Sequence, residues 1–166
     1  MPEAYYISPV GTLKVTAETL AEGGSAAGGE AVTAIDFIRD GDYPSGTDYP
    51  LLKEVIRQLD EYFKGKRECF ELKLRPSGTE FQKRVWDELL KIPFGKTISY
   101  LELAERLGDK KVIRAAGTAN GKNRIPVIIP CHRVIGSSGK LVGYSGGLHI
   151  KEWLLRHEGS LMELAL

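Results

Sequence analysis

The chain has 166 residues, of which 42% are hydrophobic and 27% charged, a composition that supports one domain or a small domain joined to a medium one. No stretch approaches the roughly 20 apolar residues of a membrane-spanning helix, and "MPEAYYISPV" lacks the basic start and apolar run of a secretory signal, so we expect a cytoplasmic protein without a membrane partner. The net charge of +1 favours no acidic partner by itself, and two cysteines and three histidines without the spacing of zinc ligands predict no metal site.

Residues 1–45 show the pattern of strands and turns. In "GTLKVTAE" (residues 11–18) apolar and polar side chains alternate, which is typical of a half-buried strand, and "AVTAIDFI" (residues 31–38) is a second strand candidate. The stretch "EGGSAAGGE" (residues 22–30) predicts a flexible connection between them. We therefore predict a small antiparallel sheet without catalytic residues.

A helical period replaces the strand pattern after residue 48. Apolar residues between positions 51 and 63 fall on one face of a helix, with Pro50 in its first turn and Gly65 just past its end. The following "ECFELKLRPSG" (residues 68–78) predicts a short strand that runs into a linker. We place a domain boundary near Pro76 and predict two domains, residues 1–76 and 77–166.

The second half is predicted to be mostly helical. A capping box at Thr79 opens one helix, and a second capping box at Ser99 opens a helix over residues 99–107. The stretch from about residue 110 to 119 is a helix of small side chains, and a final helix covers roughly residues 150–157.

The two middle helices, joined by a glycine-containing turn, are typical of a helix-turn-helix, although many helical hairpins bind nothing. Between Lys96 and Lys140 there are nine basic and three acidic residues, a balance of +6 that leaves −5 for the rest of the chain. This asymmetry suits a nucleic-acid surface or an ordinary solvated face equally well. Small side chains such as Ala115 and Gly117 cannot form long hydrogen bonds to base edges, but they permit close approach to a duplex backbone.

The stretch "IPVIIPCHRVIG" (residues 125–136) places Cys131 beside His132. A thiolate is a nucleophile whose formation needs a base or a positive field nearby, yet neighbouring side chains in an extended strand point to opposite faces. Contact would therefore require a turn or a bridging water. Glu158 is one of several acidic residues able to orient the imidazole, and a buried structural cysteine fits the pattern equally well. Cys69 has no adjacent base and is predicted to be a core residue.

The segments "ISYLELAERLG", "IRAAGTANGKNRIPVIIPCHRVIG" and "GYSGGLHIKEWLLRHEG" closely resemble the O6-alkylguanine-DNA alkyltransferases, also called methylated-DNA–protein-cysteine methyltransferases. The resemblance is nearly continuous from residue 81 to 159. It implies an α+β fold in which a small ribonuclease H-like domain of sheet plus helix precedes a mostly helical domain with a helix-turn-helix. It also implies a monomer that binds double-stranded DNA containing O6-alkylguanine.

The resemblance further implies the reaction and its catalytic residues. The alkyl group, chiefly methyl, would pass irreversibly from guanine O6 to Cys131 without a cofactor, so that each molecule acts once. His132 would deprotonate Cys131 through a water, and Glu158 would hold the tautomer of His132. Asn123 would brace the loop against the active-site turn.

Residues that bind DNA and the extruded base are implied in the same way. Tyr100 would crowd the target phosphate and bond N3 of the base, and Arg114 would fill the vacated place in the stack. The remaining set consists of the pocket-closing residues, the carbonyls that read the exocyclic amine and the small residues that meet the backbone: Tyr144, Ser145, Cys131, Val134, Ala115 and Gly117.

One position departs from the family pattern. Arg124 follows Asn123 where a proline is common, so we expect a slightly different loop and one additional phosphate contact. Two other functions are weighed beside alkyl transfer: a non-catalytic helix-turn-helix protein that binds lesions, and a Cys–His hydrolase of small molecules. The resemblance favours alkyl transfer because the acceptor cysteine is present.

Overall fold

The structure, a computed structural model, describes residues 1–19 and 29–161. They form an α+β protein with two compact units, Met1–Ser77 and Gly78–Leu166. The connection predicted at residues 22–30 lies outside the described residues except for its last two positions. Within the described ranges, no helix is long and apolar enough to cross a membrane.

The first unit contains a three-stranded antiparallel sheet in the order β1–β2–β3, with β1 at Glu3–Ser8, β2 at Gly11–Thr19 and β3 at Glu30–Ile38. Both strands predicted from the sequence are confirmed as β2 and β3, whereas the sequence pattern did not predict β1. Alternation in β2 buries Leu13, Val15 and Ala17, as the period of two requires. The sheet is the antiparallel one that the sequence predicted.

Helix α1, Pro50–Phe63, packs against β1 and β2. Pro50 stands in its first turn, where a missing N–H costs nothing, and its buried face carries Leu52, Val55 and Leu59. Past its end Gly65 has a φ of 74°, which glycine adopts without strain. The predicted helix and both of its boundaries are confirmed.

The strand predicted within residues 68–78 is wrong. The structure has only a single parallel bridge, Val32 to Leu74. Next to it the buried side chain of Gln58 accepts from the Glu71 N–H (2.9 Å) and donates to the Glu71 carbonyl (3.2 Å). The Gln58 amide thus satisfies the backbone of Glu71, and Cys69 in the same stretch is exposed rather than in the core.

The second unit is mostly helical. Its α-helices are α2 (Glu80–Leu89), α3 (Tyr100–Arg106), α4 (Ile113–Gly121) and α5 (Leu148–His157). Two short strands, β4 (Ile98–Ser99) and β5 (Val134–Ile135), pair in parallel. Nothing in the sequence pattern indicated this pair, which joins the start of α3 to the residues after Cys131.

Local sequence signals place the helix starts of this unit. At Thr79 both halves of the predicted capping box form with Gln82 (3.1 and 2.9 Å). The Ser99 hydroxyl accepts from the Glu102 N–H (3.0 Å), but the Glu102 carboxylate accepts from Arg106 instead of completing a second box among the described contacts. The helix expected from residue 110 begins as a 3₁₀ turn, Lys110–Val112, and continues as α4.

The core of this unit fixes α2 against α4. Trp86 is buried, and its indole N–H donates to the carbonyl of Ala119 (2.9 Å). Small side chains at Ala116 and Ala119 allow this close approach, and both are buried. The alanine-rich sequence of α4 therefore serves packing on one face and leaves Arg114 and Ala115 exposed on the other.

Candidate active site

Cys131 lies in a 3₁₀ turn, Cys131–Arg133, directly before β5. The Cys131 N–H donates to the carbonyl of Ile129 (2.8 Å), and the Arg133 N–H donates to that of Pro130 (3.0 Å). Successive side chains in such a turn point about a third of a revolution apart, not to opposite faces as in a strand. The backbone at Cys131 and His132 is therefore a turn and not an extended strand.

Asn123 closes the loop that leads into this turn. Its Oδ1 accepts from the Ile125 N–H (3.0 Å) and its Nδ2 donates to the Ile129 carbonyl (2.7 Å), so one amide joins both ends of the loop. Between them Val127 has a φ of 73°, which is strained for a β-branched residue. The two side-chain bonds help to hold this strained backbone in place.

Three ionisable side chains are buried together behind the turn: His132, Arg133 and Glu158 are 0%, 6% and 5% exposed. The guanidinium of Arg133 donates to both carboxylate oxygens of Glu158 (2.8 and 3.1 Å) and to the carbonyl of Ile92 (2.6 Å). Nε2 of His132 lies 2.8 Å from Oε2 of the same carboxylate. Glu158, at the C-terminal end of α5, therefore holds both of its neighbours.

The electrostatics of this group fix the tautomer of His132. Burial alone would raise the pKa of Glu158, but His132 and Arg133 outweigh burial and hold that pKa well below its usual range. An ionised carboxylate only accepts hydrogen bonds, so Nε2 of His132 carries the shared proton. Burial lowers the pKa of His132, which keeps the ring neutral. Its buried Nδ1 has no hydrogen-bond partner among the described residues and is free to accept a proton.

The thiol of Cys131 needs such a base. Burial raises its pKa to about 11, although a hydrogen bond from Asn123 and the positive charge of Lys151 favour the thiolate. At neutral pH the sulfur is therefore protonated, and a nucleophile forms only if the proton is transferred. The neighbouring imidazole of His132 is neutral, and its Nδ1 has no partner among the described residues.

A cavity of about 300 Å³ adjoins the turn. It brings together Tyr100, Gly117, Tyr144 and Ser145 of the predicted set, and Asn120, Gly121 and Gly143 complete its lining. Asn120 donates from Nδ2 to the carbonyl of Cys131 (3.3 Å), which links the wall of the cavity to the nucleophile. Aromatic rings and side-chain-free glycines around a small cavity suit a flat ring.

Comparison with known proteins assigns the chain to a family. The model of the 6-O-methylguanine DNA methyltransferase DNA-binding domain matches residues 80–160, and that of the ribonuclease-like domain of the same proteins matches residues 26–76. The methylated-DNA–protein-cysteine methyltransferase of Mycobacterium tuberculosis is 43% identical over 157 residues, which cover 92% of this chain and 89% of the relative. The Haemophilus influenzae protein of the same name is 38% identical over 160 residues, 93% and 84% of the two chains. The chain belongs to the methylated-DNA–protein-cysteine methyltransferase family.

Solved structures agree with this assignment. A crystal structure of Mycobacterium tuberculosis OGT in complex with DNA matches with a TM-score of 0.78 at 40% identity, covering 95% of this chain and 92% of the other. The structure of the O6-methylguanine methyltransferase from the same organism matches with a TM-score of 0.76 at 38% identity and the same coverage.

Not every predicted site residue of this methyltransferase lies at the cavity. Arg114 and Ala115 are exposed on α4 and line no part of it. Val134 is buried, and its carbonyl already accepts from Nζ of Lys151 (2.7 Å). The Tyr100 hydroxyl donates to the carbonyl of Val142 (3.0 Å), on the segment that leads to Tyr144.

Sequence reasoning assigned no role to three residues that the structure places in the site: Arg133, Lys151 and Asn120. Arg133 was visible only as a neighbour of the Cys–His pair. Lys151 carried a signal, because it lies on α5 at the spacing of the buried Leu154 and Leu155, where a core residue is expected. A lysine on the apolar face of an amphipathic helix indicates a buried charge, which is a signal of a functional role.

Proposed function

We propose that this chain repairs O6-alkylguanine in DNA by transferring the alkyl group to Cys131. The observation that carries the proposal is the buried arrangement of a protonated thiol, a neutral histidine with an unpartnered Nδ1 and a clamped carboxylate. It lies beside a cavity of suitable shape, in a chain of this family. Each component has a role in moving one proton and one alkyl group.

The transfer needs one proton movement and one displacement. His132 takes the proton of the Cys131 thiol at Nδ1, through a water, while Glu158 keeps the other ring nitrogen protonated. The thiolate attacks the alkyl carbon, so that an S–C bond forms as the C–O6 bond breaks. The electron pair of the broken bond stays on guanine, which receives the proton in place of the alkyl group, so that His132 returns to its neutral form. The thioether has no leaving group of comparable quality, so the protein acts once and needs no cofactor.

The target base must leave the duplex before it can reach Cys131, at a cost of a few kcal/mol. We propose that the base enters the cavity between Tyr100 and the Tyr144–Ser145 segment, with the Ser145 N–H directed at O6. The carbonyls of Cys131 and Val134 accept from the exocyclic amine, which selects guanine over adenine. Tyr100 exchanges its bond to Val142 for one to N3 of the base.

Helices α3 and α4 form the proposed helix-turn-helix. The exposed face of α4 presents Arg114 beside Ala115, so the backbone of DNA can approach closely while the arginine fills the place of the extruded base. The neighbouring Lys110 and Lys111 are exposed and available to phosphates. Arg124 adds one further phosphate contact. Such contacts give salt-dependent binding with little sequence preference.

We assign these tasks to residues 77–166 of a monomer and a supporting role to residues 1–76. The compact units of the fold fall at nearly the same boundary. The residues assigned to alkyl transfer all belong to the second unit, which supports a non-catalytic role for the first. Its ribonuclease H-like character rests on the family resemblance.

Intact-mass spectrometry after incubation with a duplex carrying O6-methylguanine tests the function. We expect one added methyl group per chain, located on Cys131. The Cys131→Ala variant should gain none, whereas Cys69→Ala, which removes the exposed free cysteine, should gain one like the wild type. Tight lesion binding without a mass change would instead identify a lesion-binding protein, and repeated turnover of a small ester would identify a hydrolase.

A further inference from the structure

Lys151 is a buried cation for which the described part of the chain offers no carboxylate partner. Its side chain is 0% exposed, and no ion pair to it is found within residues 1–19 and 29–161. Lysine is almost never fully buried unless it is paired, because desolvation of the ammonium is costly. A lysine retained at such a position needs compensation from its surroundings.

Backbone carbonyls provide that compensation. Nζ of Lys151 donates to the carbonyl of Val134 (2.7 Å), to that of Val142 (2.9 Å) and, at a longer distance, to that of Gly143 (3.5 Å). An ammonium has three N–H donors, so the three carbonyls account for all of them. The ring of Tyr100 lies on a further side, with its centroid 5.9 Å from Nζ.

The three carbonyls belong to two different segments of the chain. Val134 follows the Cys131–Arg133 turn and begins β5. Val142 directly precedes Gly143, Tyr144 and Ser145, which line the cavity. Lys151 thus bonds the segment behind the nucleophile to the segment that closes the pocket, and Tyr100 adds its own bond to Val142.

We propose that Lys151 is a positioning residue for alkyl transfer, whose ammonium holds the Val142–Gly143 segment at a fixed distance from the Cys131 turn. The inference rests on the proposed function and names the group that holds the active site of that function in shape. Without the ammonium, the carbonyls of Val134 and Gly143 lose this donor and that of Val142 keeps only Tyr100. The segment that carries Tyr144 and Ser145 then moves away from the sulfur. A displacement of about 1 Å in such a site costs up to about 100-fold in rate.

The charge state of Lys151 makes the role measurable. The titratable groups that face it are Cys131 and His132 on the active-site turn and Tyr100 on α3. Burial lowers the pKa of Lys151 to about 8, although a Cys131 thiolate would oppose this. The ammonium is therefore present below about pH 8 and loses its charge and one donor as the pH rises through that value.

Single-turnover methyl transfer by the wild type and by Lys151→Met, followed by intact mass across a pH series, tests the proposal. Methionine has a similar length and no charge. We expect the variant to react at least about tenfold more slowly at about pH 7, and the ratio of the two rates to shrink above about pH 8. Lys91→Met, which removes an exposed lysine of the same unit, should match the wild type at every pH.

Equal rates for wild type and Lys151→Met at neutral pH, or a rate ratio that does not change with pH, would overturn the positioning role. If Lys151→Met fails to fold by near-ultraviolet circular dichroism, Lys151→Arg decides, because its charge persists at every pH. Lys151→Arg should react at about the wild-type rate at pH 7 and faster than the wild type above about pH 8, where Lys151 has lost its charge. A pH profile identical to that of the wild type would overturn the proposal. A wild type that gains no methyl group contradicts the proposed function instead.

Discussion

The two units of this methyltransferase use the same pair of residue types in opposite environments. In the first unit Arg57 bonds Glu54 (2.9 Å) and Glu61 (2.6 Å) on the outer face of α1, where the arginine side chain is 55% exposed. In the second unit Arg133 bonds Glu158 with similar distances and both are buried. Water screens the first set, whereas the second is held in a low-dielectric interior. Arg–Glu pairs with similar distances therefore contribute very differently to stability and chemistry, because one set is exposed and the other is buried.

Glu158→Gln gives the largest expected effect. The substitution leaves Arg133 buried without its counter-charge, so we expect a loss of about 3–5 kcal/mol in unfolding free energy. It also removes the carboxylate that fixes the His132 tautomer, and methyl transfer should slow by about 100-fold or more. Urea unfolding and single-turnover mass spectrometry measure the two effects.

The matched control for this variant lies on the same helix. Glu152 forms an exposed pair with Arg156 (3.0 Å), so Glu152→Gln removes a carboxylate of α5 without touching the buried group. It should keep the stability and transfer rate of the wild type. Similar losses in both variants would mean that burial does not distinguish the pairs.

The second largest expected effect is the loss of the stabilisation by the Glu158–Arg133 pair as the pH falls. The pKa of Glu158 is lower in the folded protein than in the unfolded chain, so its contribution is complete above the unfolded value of about 4.3 and declines as the pH falls below it. From about pH 6 to pH 3 we expect the wild type to lose about 1–2 kcal/mol more unfolding free energy than Glu158→Gln does. Urea titrations of both proteins at each pH measure the difference, and parallel declines would contradict it.

Arg57→Met should have the smallest effect. Its ion pairs lie at the surface of α1, where screening and side-chain entropy cancel most of the attraction. We expect the urea midpoint and the methyl-transfer rate to remain those of the wild type at low and high salt. A loss comparable to that of Glu158→Gln would show that the exposed network is a structural requirement of the first unit.

Local signals in the sequence predicted local structure well. The helix from Pro50 and the capping box at Thr79 are both confirmed, because their determinants lie within a few residues of one another. The strand predicted near Cys69 is wrong because the structure of this stretch depends on residues far from it in the sequence. Lys73 and Arg75 bond the backbone of Val32, whereas the backbone of Glu71 bonds the side chain of Gln58. No pattern within the stretch itself indicates either partner.

In the candidate site, too, features that depend on neighbouring residues were predicted and features that depend on distant contacts were not. The cysteine and its adjacent histidine were visible as a pair, and the family resemblance attached Glu158 to them. Spacing alone could not choose among acidic residues, because His132 and Glu158 are 26 positions apart. Their meeting depends on where α5 ends relative to the turn. Arg133 and Lys151 were missed because a charged residue is expected at the surface unless a fold supplies buried partners.

By itself the sequence determined the α+β class, most helix starts, and a cysteine with a histidine beside it. These features depend on periodicity, capping residues and adjacent residue types, all of which involve residues close together in the sequence. Only the tertiary structure decided that Arg133 shares the carboxylate of Glu158 with His132, and that Lys151 bonds the Val134 and Val142 carbonyls. Those features depend on desolvation and on hydrogen bonds between distant segments. Both arise only when the chain packs, because water otherwise solvates each charge separately.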